Sequence, residues 1–368
     1  MKKANTAGSK RAPGPSLTIG LDLGDRSSRY CVLDQAGEIA LEQEVETRRE
    51  ALQKRFGALA GSRIALEAGT HSGWVARLLA GLGHEVIVAN PRHIPLLTMH
   101  SAKSDELDAR TLARLARVDP QLLGPIQHRG ESAQIQLLTV RSRAVLVEAR
   151  TKLINAARGL TKALGYRLPA AKADAVTTGL LSGLPALIQK PLASLLEQAE
   201  SLSEQIRKLD QQIEEIATTH YEQETAKLQQ VKGVGPVIAL TFVLTLERAE
   251  RFSSSRAVGC YLGLRPKQRQ SGQSNPQLRI SKEGDHYLRS LLVQGAHCIL
   301  GPHGEDCDLR RWGRRLCERG GKNARKRAVI AVARKLAVLL HRLWAGKEAY
   351  DPLYNAKRLQ RATLGACA

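Results

Sequence analysis

Leu17-Thr-Ile-Gly-Leu-Asp-Leu-Gly24 is an apolar run that holds one acid, Asp22, and closes on glycine, the pattern of a buried strand. Downstream, Tyr30–Leu33, a turn at Asp34-Gln-Ala-Gly37 and Ile39–Val45 read with it as an antiparallel meander. A helical stretch follows, and then a second apolar run ending on an acid, Arg63-Ile-Ala-Leu-Glu67. Beyond it come a helix near Gly73–Leu82, a short strand Glu85–Ala89, and Lys103-Ser-Asp-Glu-Leu-Asp-Ala-Arg110. In that last tract Ser104 is a helix cap, and the i, i+3 spacing sets Asp105 and Asp108 on one helix face.

The order strand, strand, strand, helix, strand, helix, strand, helix is that of an α/β ribonuclease-H-like domain, and it sends the first-strand, fourth-strand and last-helix acids to one place. Hard divalent cations take oxygen ligands, and two Mg²⁺ ions roughly 3.5–4 Å apart stabilise the attacking and leaving oxygens of a phosphoryl transfer. Asp22, Glu67, Asp105 and Asp108 are therefore candidate metal ligands. Singly, each reads as a solvated acid or a cap. Clustered without a cation they would repel, and some would protonate, so as a set they favour a metal site.

Charge points to a polyanionic partner. The 368 residues carry a formal net charge of +21, spread unevenly: residues 231–368 hold 26 basic and 10 acidic side chains, whereas residues 1–120 hold 17 and 14. The nucleic-acid-binding surface is thus expected to be mostly C-terminal. No run of about 18 apolar residues is present, which predicts no membrane span. Residues 1–16 carry basic side chains without a following apolar core and are expected to be a disordered arm rather than a signal peptide. The six cysteines include no CxxC pair, consistent with reduced thiols in a cytoplasmic, nucleoid-associated protein. His297, Cys298, His303, Cys307 and Cys317 crowd together, but at spacings that fit no common zinc module.

Residues 121–228 are poor in glycine and show long helical periodicity. Glu131–Leu164 reads as one helix, and Pro169–Pro191 as a broken stretch. Beyond it Leu195, Leu202, Leu209 and Ile216, with Leu192, Ala199, Ile206 and Ile213 three residues earlier, make a heptad seam of a coiled coil, pairing either with Glu131–Leu164 or with another subunit. Residues 229–350 open on Val231-Lys-Gly-Val-Gly-Pro236. Lys232, Gly233 and Gly235 there suit a phosphate-contacting hairpin, though a plain helix–helix turn fits as well. Basic and small residues then interleave, with Arg265, Lys267, Arg269, Arg279, Lys282 and Arg289 as candidate nucleic-acid contacts. Gly301–Lys322 looks like an extra loop before a final amphipathic helix at Ala324–Trp344, and residues 351–368 form a tail.

Taken together, the four acids, Gly233-Val-Gly, Tyr261-Leu-Gly-Leu-Arg-Pro, Ser271-Gly and Ile280-Ser-Lys-Glu-Gly-Asp-His-Tyr-Leu-Arg resemble the DEDD insertion-sequence transposases related to the Piv invertase, over roughly residues 17–350. The resemblance implies a RuvC-like domain at 17–120, a coiled coil at 121–228 and a mainly helical transposase domain at 229–350. It also implies a serine nucleophile, Ser271, which attacks DNA to form a phosphoserine while the acids hold Mg²⁺. A homodimer or tetramer on DNA, guided by an RNA, is implied by the same likeness. By itself Ser271 is a loop serine, which needs a metal or base and nearby cations to attack a phosphodiester.

Three other readings bear on the same residues. A RuvC-like junction-resolving nuclease using metal-activated water fits the first domain. An actin-like ATPase fits Ile19–Ser28 but lacks a second Asp-x-Gly loop. A catalytically dead scaffold would need a broken acid set, and all four acids are present.

Overall fold

Alternation along the first strands sets up two apolar layers. In β1 (Thr18–Asp22) the side chains of Ile19 and Leu21 point to one face and Gly20 to the other. β2 (Ser27–Leu33) and β3 (Ile39–Glu46) complete the antiparallel meander. α1 (Arg49–Gly57), β4 (Arg63–Glu67), α2 (Ser72–Gly81), β5 (Glu85–Ala89) and α3 (Asp105–Val118) follow. The sheet order is β3-β2-β1-β4-β5, with β1 and β4, and β4 and β5, parallel. Ile19, Leu21, Ile64 and Leu66 meet Leu52 and Phe56 of α1 and Val75 and Leu79 of α2 on one face. Each such side chain contributes about 1.5–3 kcal/mol on burial.

The other face is built of small residues. Ala65 and Ala89 of the sheet meet Leu112 and Ala116 of α3, and Cys31 and Leu33 meet Ala109 and Ala113. At Gly20 a β-carbon would overlap the Ala109 carbonyl oxygen and lie 2.5 Å from the Ala113 nitrogen. Only glycine lets the helix backbone sit this close to the strand.

This computed structural model describes residues 17–93, 105–276, 278–346 and 348–358. The arm expected over 1–16, the expected cap Ser104 and the end of the tail, 359–368, lie outside the described residues. The chain divides into two compact units, Met1–Arg129 and Gly130–Ala368.

The second unit is helical: α4 (Glu131–Ala163), α5 (Ala186–His220), α6 (Glu222–Gln229), α7 (Pro236–Leu246), α8 (Ser255–Tyr261), α9 (His286–Leu300), α10 (Asp308–Glu318) and α11 (Ala324–Ala345). α4 and α5 form an antiparallel hairpin within the chain. Leu137 and Val140 near the start of α4 pack with Ile213 and Ala217 near the end of α5, while Ile154 and Ala157 meet Leu192, Leu196 and Ala199.

The buried seam differs from the expected one in its second row. Leu192, Ala199, Ile206 and Ile213 are buried, but their companions four residues on are the buried Leu196, Ser203 and Ala217 and the half-buried Asp210, while Leu195, Leu202, Leu209 and Ile216 are only half-buried. The polar members have partners. Arg150 donates to the Ser203 hydroxyl at 3.1 Å, and Arg143 holds the Asp210 carboxylate with two nitrogens. A leucine row at the edge and polar residues in the seam is not an arrangement that hydrophobicity alone predicts.

The remaining helices gather around α11, whose Val332, Leu336 and Leu340 pack against Phe242, Leu288 and Leu292. The expected loop over Gly301–Lys322 is corrected: its centre is α10, started by Cys307, whose sulfur accepts from the Arg310 N–H at 3.4 Å. Among the described residues no helix is long and apolar enough to cross a membrane.

Candidate active site and nucleic-acid contacts

The parallel register of β1 and β4 runs from Thr18↔Arg63 to Leu21↔Leu66, so Asp22 and Glu67 are the next residues at the same end of neighbouring strands. Strands lie about 4.8 Å apart, which makes the two acids neighbours. Both are half-buried. Asp22 stands two residues beyond Gly20 and so faces α3.

The direction of α3 brings its own acids to that end. Near its C-terminus Arg117 donates to the Asp34 carbonyl at 3.3 Å, beside the start of β1. In its first turn Glu106 accepts at 3.1 Å from Arg29, the register partner of Asp22. α3 therefore runs antiparallel to β1, and the turn carrying Asp105 and Asp108 lies at the Asp22 and Glu67 end of the sheet. Asp108 is 7% exposed, while the Asp105 side chain is outside the described residues. Arg110 on α3 clamps the Glu42 carboxylate of β3 through two nitrogens, one at 2.6 Å, and holds that carboxyl below its usual range.

A carboxylate set of this kind suits a hard divalent cation. Among the described residues, which leave out the Asp105 side chain, no three of His, Cys, Asp and Glu are gathered as ligands of one metal ion. Cys31, Cys260, Cys298, Cys307 and Cys317 are free thiols.

Two loops leave the acid end of the sheet tied together by residues to which no sequence pattern assigned a role. Trp74 donates its indole N–H to His71 Nδ1 at 3.1 Å, which leaves the proton of a neutral ring on Nε2, 3.3 Å from Asp25 Oδ1. Ser72 Oγ donates to the Gly69 carbonyl and lies 2.9 Å from His128 Nε2. Glu67 and His71 four residues apart are too common a spacing to reveal this.

In the second unit, Ser271 sits at the end of an exposed two-stranded arm. The arm is pinched at its root, where Gly263 (φ 64°) and Gly284 (φ 69°) press against the backbones of Glu283 and Tyr261 with no space for a β-carbon. Ser281 N donates to Arg265 O and Lys267 N to Arg279 O, each at 2.9 Å. Ser271 and Ser274 then exchange backbone hydrogen bonds of 3.1 and 3.0 Å around Gly272-Gln273, a two-residue turn with Gly272 at φ 55°. Arg265 to Pro276 are exposed throughout, as is Arg279, so four cations line the arm that presents the serine.

Other expected contacts part company. Lys282 is exposed, with a positive φ of 59°. Lys232 is exposed and paired with Glu305 at 3.1 Å. Gly235 is exposed as the residue before α7, whereas Gly233 (φ 91°) is a packing residue: its β-carbon would lie 3.0 Å from the Gly295 carbonyl of α9. Arg289 is corrected outright. It is 7% exposed, and its guanidinium donates to the carbonyls of Leu262 at 3.0 Å and Glu283 at 2.7 Å, so it holds the root of the arm and does not face nucleic acid.

A ribonuclease-H-like sheet with acids at its crossing end, followed by a helical unit with a basic serine arm, defines the transposase class. Two family models match in this order: a DEDD transposase model over residues 19–164, and one described as transposase IS116/IS110/IS902 family over residues 225–306. A "Probable family 20 transposase" of Pseudomonas aeruginosa is 29% identical over 91% of this chain and 98% of its own length. The transposase for insertion sequence element IS1111A of Coxiella burnetii is 28% identical over 90% of each. The transposase for IS1328 of Yersinia enterocolitica is 27% identical over 78% of this chain and 85% of its own. The chain belongs to the IS110 family of insertion-sequence transposases, enzymes that act on DNA. The DEDD family generally uses a divalent metal.

Proposed function

We propose that Asp22, Glu67, Asp105 and Asp108 hold Mg²⁺ and that Ser271 is the nucleophile of DNA strand exchange. The observation that carries the metal assignment is the antiparallel seating of α3 on β1 through Gly20, which brings acids from three elements to one end of the sheet. Bound there, Mg²⁺ would neutralise charge developing on a phosphodiester. Ser271 Oγ loses its proton and forms a bond to phosphorus; the bond from phosphorus to the leaving strand oxygen breaks, and that oxygen takes up a proton. Arg265, Lys267, Arg269 and Arg279 hold the phosphate, and Gly272 lets the strand backbone approach closely.

Strand cleavage of the element's junction DNA, with Mg²⁺ and co-expressed flanking RNA, tests this. A denaturing gel should show a protein–DNA adduct in the wild type, none in Ser271→Ala, and loss of cleavage in Asp105→Ala. Cleavage that survives Ser271→Ala without an adduct replaces this reading with a junction-resolving nuclease that uses metal-activated water.

In the same reading the enzyme works as a homodimer or tetramer, with α4 and α5 as an antiparallel coiled coil and a guide RNA that selects the target. The cationic surface fits either nucleic acid. Omitting the RNA from the assay should abolish site-selective cleavage.

A further inference from the structure

α10 and α11 lie beyond both segments matched by the family models, which end at residues 164 and 306. Between residues 308 and 342 the chain carries twelve Lys and Arg against two acids, Asp308 and Glu318. Several of these charges have structural employment. Arg310 is 5% exposed and donates to the carbonyls of Ile299 and Gly301. Arg311 is paired with Asp306 at 2.6 Å. Asp308 accepts from the backbone N–H groups of Asn355 and Ala356 at 2.6 and 3.3 Å, which removes it from the outer face.

The remainder includes a concentrated set around one turn: Arg314, Arg315, Arg319, Lys322, Arg325 and Lys326, all exposed. α10 is fixed by its underside. Leu309 and Gly313 are buried, Gly313 lies against Val332 and Leu300, and Lys335 Nζ sits 3.8 Å above the Trp312 ring. Positions 314 and 315 therefore face solvent one turn past Arg311. Gly320 (φ 72°) and Gly321 (φ 91°) reverse the chain, so Arg319 and Lys322 lie in a short turn and Arg325 and Lys326 in the first turn of α11. Burial, and then the neighbouring Arg315, hold the Lys335 amine below its ordinary pKa, with Asp308 opposing them, and Glu318 is the one exposed acid within the set.

Such a face costs self-repulsion unless polyanion covers it. Single-stranded nucleic acid is held by bases stacked on exposed aromatic rings. Here the one aromatic side chain of α10, Trp312, is half-buried beneath Lys335, so the face offers phosphate contacts without a stacking platform. We propose that the outer face of α10, the Gly320-Gly321 turn and the first turn of α11 bind the phosphate backbone of duplex DNA irrespective of sequence, in addition to the serine arm. The surface positions the DNA; it carries no sequence reading of its own.

The test is binding, so it stands whether or not the serine and metal chemistry holds. Full-length protein is titrated with a labelled duplex of arbitrary sequence at several salt concentrations, with single-stranded RNA as competitor. Each lost phosphate contact lowers the slope of log affinity against log salt by about 0.9 and, near physiological salt, the affinity by about fivefold. The Arg314→Ala/Arg315→Ala/Lys322→Ala/Lys326→Ala variant should therefore bind at least tenfold more weakly with a shallower slope. Its charge-conserving counterpart, with Arg and Lys exchanged at the same positions, should keep the wild-type slope. Should the fourfold variant lose helical circular dichroism, Arg319→Ala/Lys322→Ala, confined to the turn, gives the same reading at smaller size. Unchanged affinity and slope in a folded variant overturns the proposal. Loss of RNA competition with duplex binding intact overturns the choice of DNA.

Discussion

Gly20 shows how one residue without a side chain can place acids that lie far from it in sequence. Its α-carbon faces the Ala109 and Ala113 backbone of α3 with no room for a methyl group. Gly20→Ala should push the helix off the strand, costing about 1–3 kcal/mol as overpacking and displacing Asp105 and Asp108 from Asp22. Thermal melting and Mg²⁺-dependent cleavage, measured together, should both fall. Cys31, under the same helix, gives a pH signature. Burial, followed by the Glu42 carboxylate nearby, pushes its thiol from 9.0 up to about 11. The folded state keeps the proton that the unfolded state releases, so this contribution is complete below pH 9 and is lost as pH rises towards 11. Cys31→Ala should flatten the fall in unfolding free energy over that window.

Among the elements, the α4–α5 hairpin shows why a heptad pattern read from one strand is incomplete. Ser203 and Asp210 occupy the seam because Arg150 and Arg143 of α4 reach them, and this fixes the pairing of the two helices at two levels. Asp210→Ala removes one partner of the half-buried Arg143 guanidinium, which keeps its bond to Tyr287, and should destabilise the protein by about 0.5–1.5 kcal/mol. Arg143→Leu with Asp210→Leu should melt at or above the wild-type temperature. A double variant less stable than Asp210→Ala alone would show that the pair is favourable in its own right. The sequence revealed both helices and the buried Leu192 row. It did not reveal the second row, because a serine and an aspartate register as surface residues until the partner helix supplies their bonds.

For the whole molecule, the first unit should fold by itself, and its limits follow from what packs on β5. Leu123 is fully buried in the cluster with Ala65 and Leu112, Ile126 bridges Val88, and His128 meets Ser72. A fragment of residues 17–129 should melt cooperatively. One ending at 120 loses Leu123 alone at about 2–3 kcal/mol, together with its bonded neighbours, and should melt lower or not fold. Circular dichroism of the two fragments decides it.

By itself, the sequence determined the strand and helix order of the first unit, the acids at the ends of two strands and in the first turn of a helix, and a basic C-terminal half. Apolar periodicity and charge are local properties that survive without a partner. Tertiary structure alone decided which charges are exposed and which are internal struts. Arg289 and Arg310 read like their neighbours along the chain but are buried, each donating to two backbone carbonyls. Tertiary structure also decided that part of Gly301–Lys322 is a helix presenting cations. A guanidinium becomes a strut or a phosphate contact according to the carbonyls around it, and these come from residues that only folding brings near.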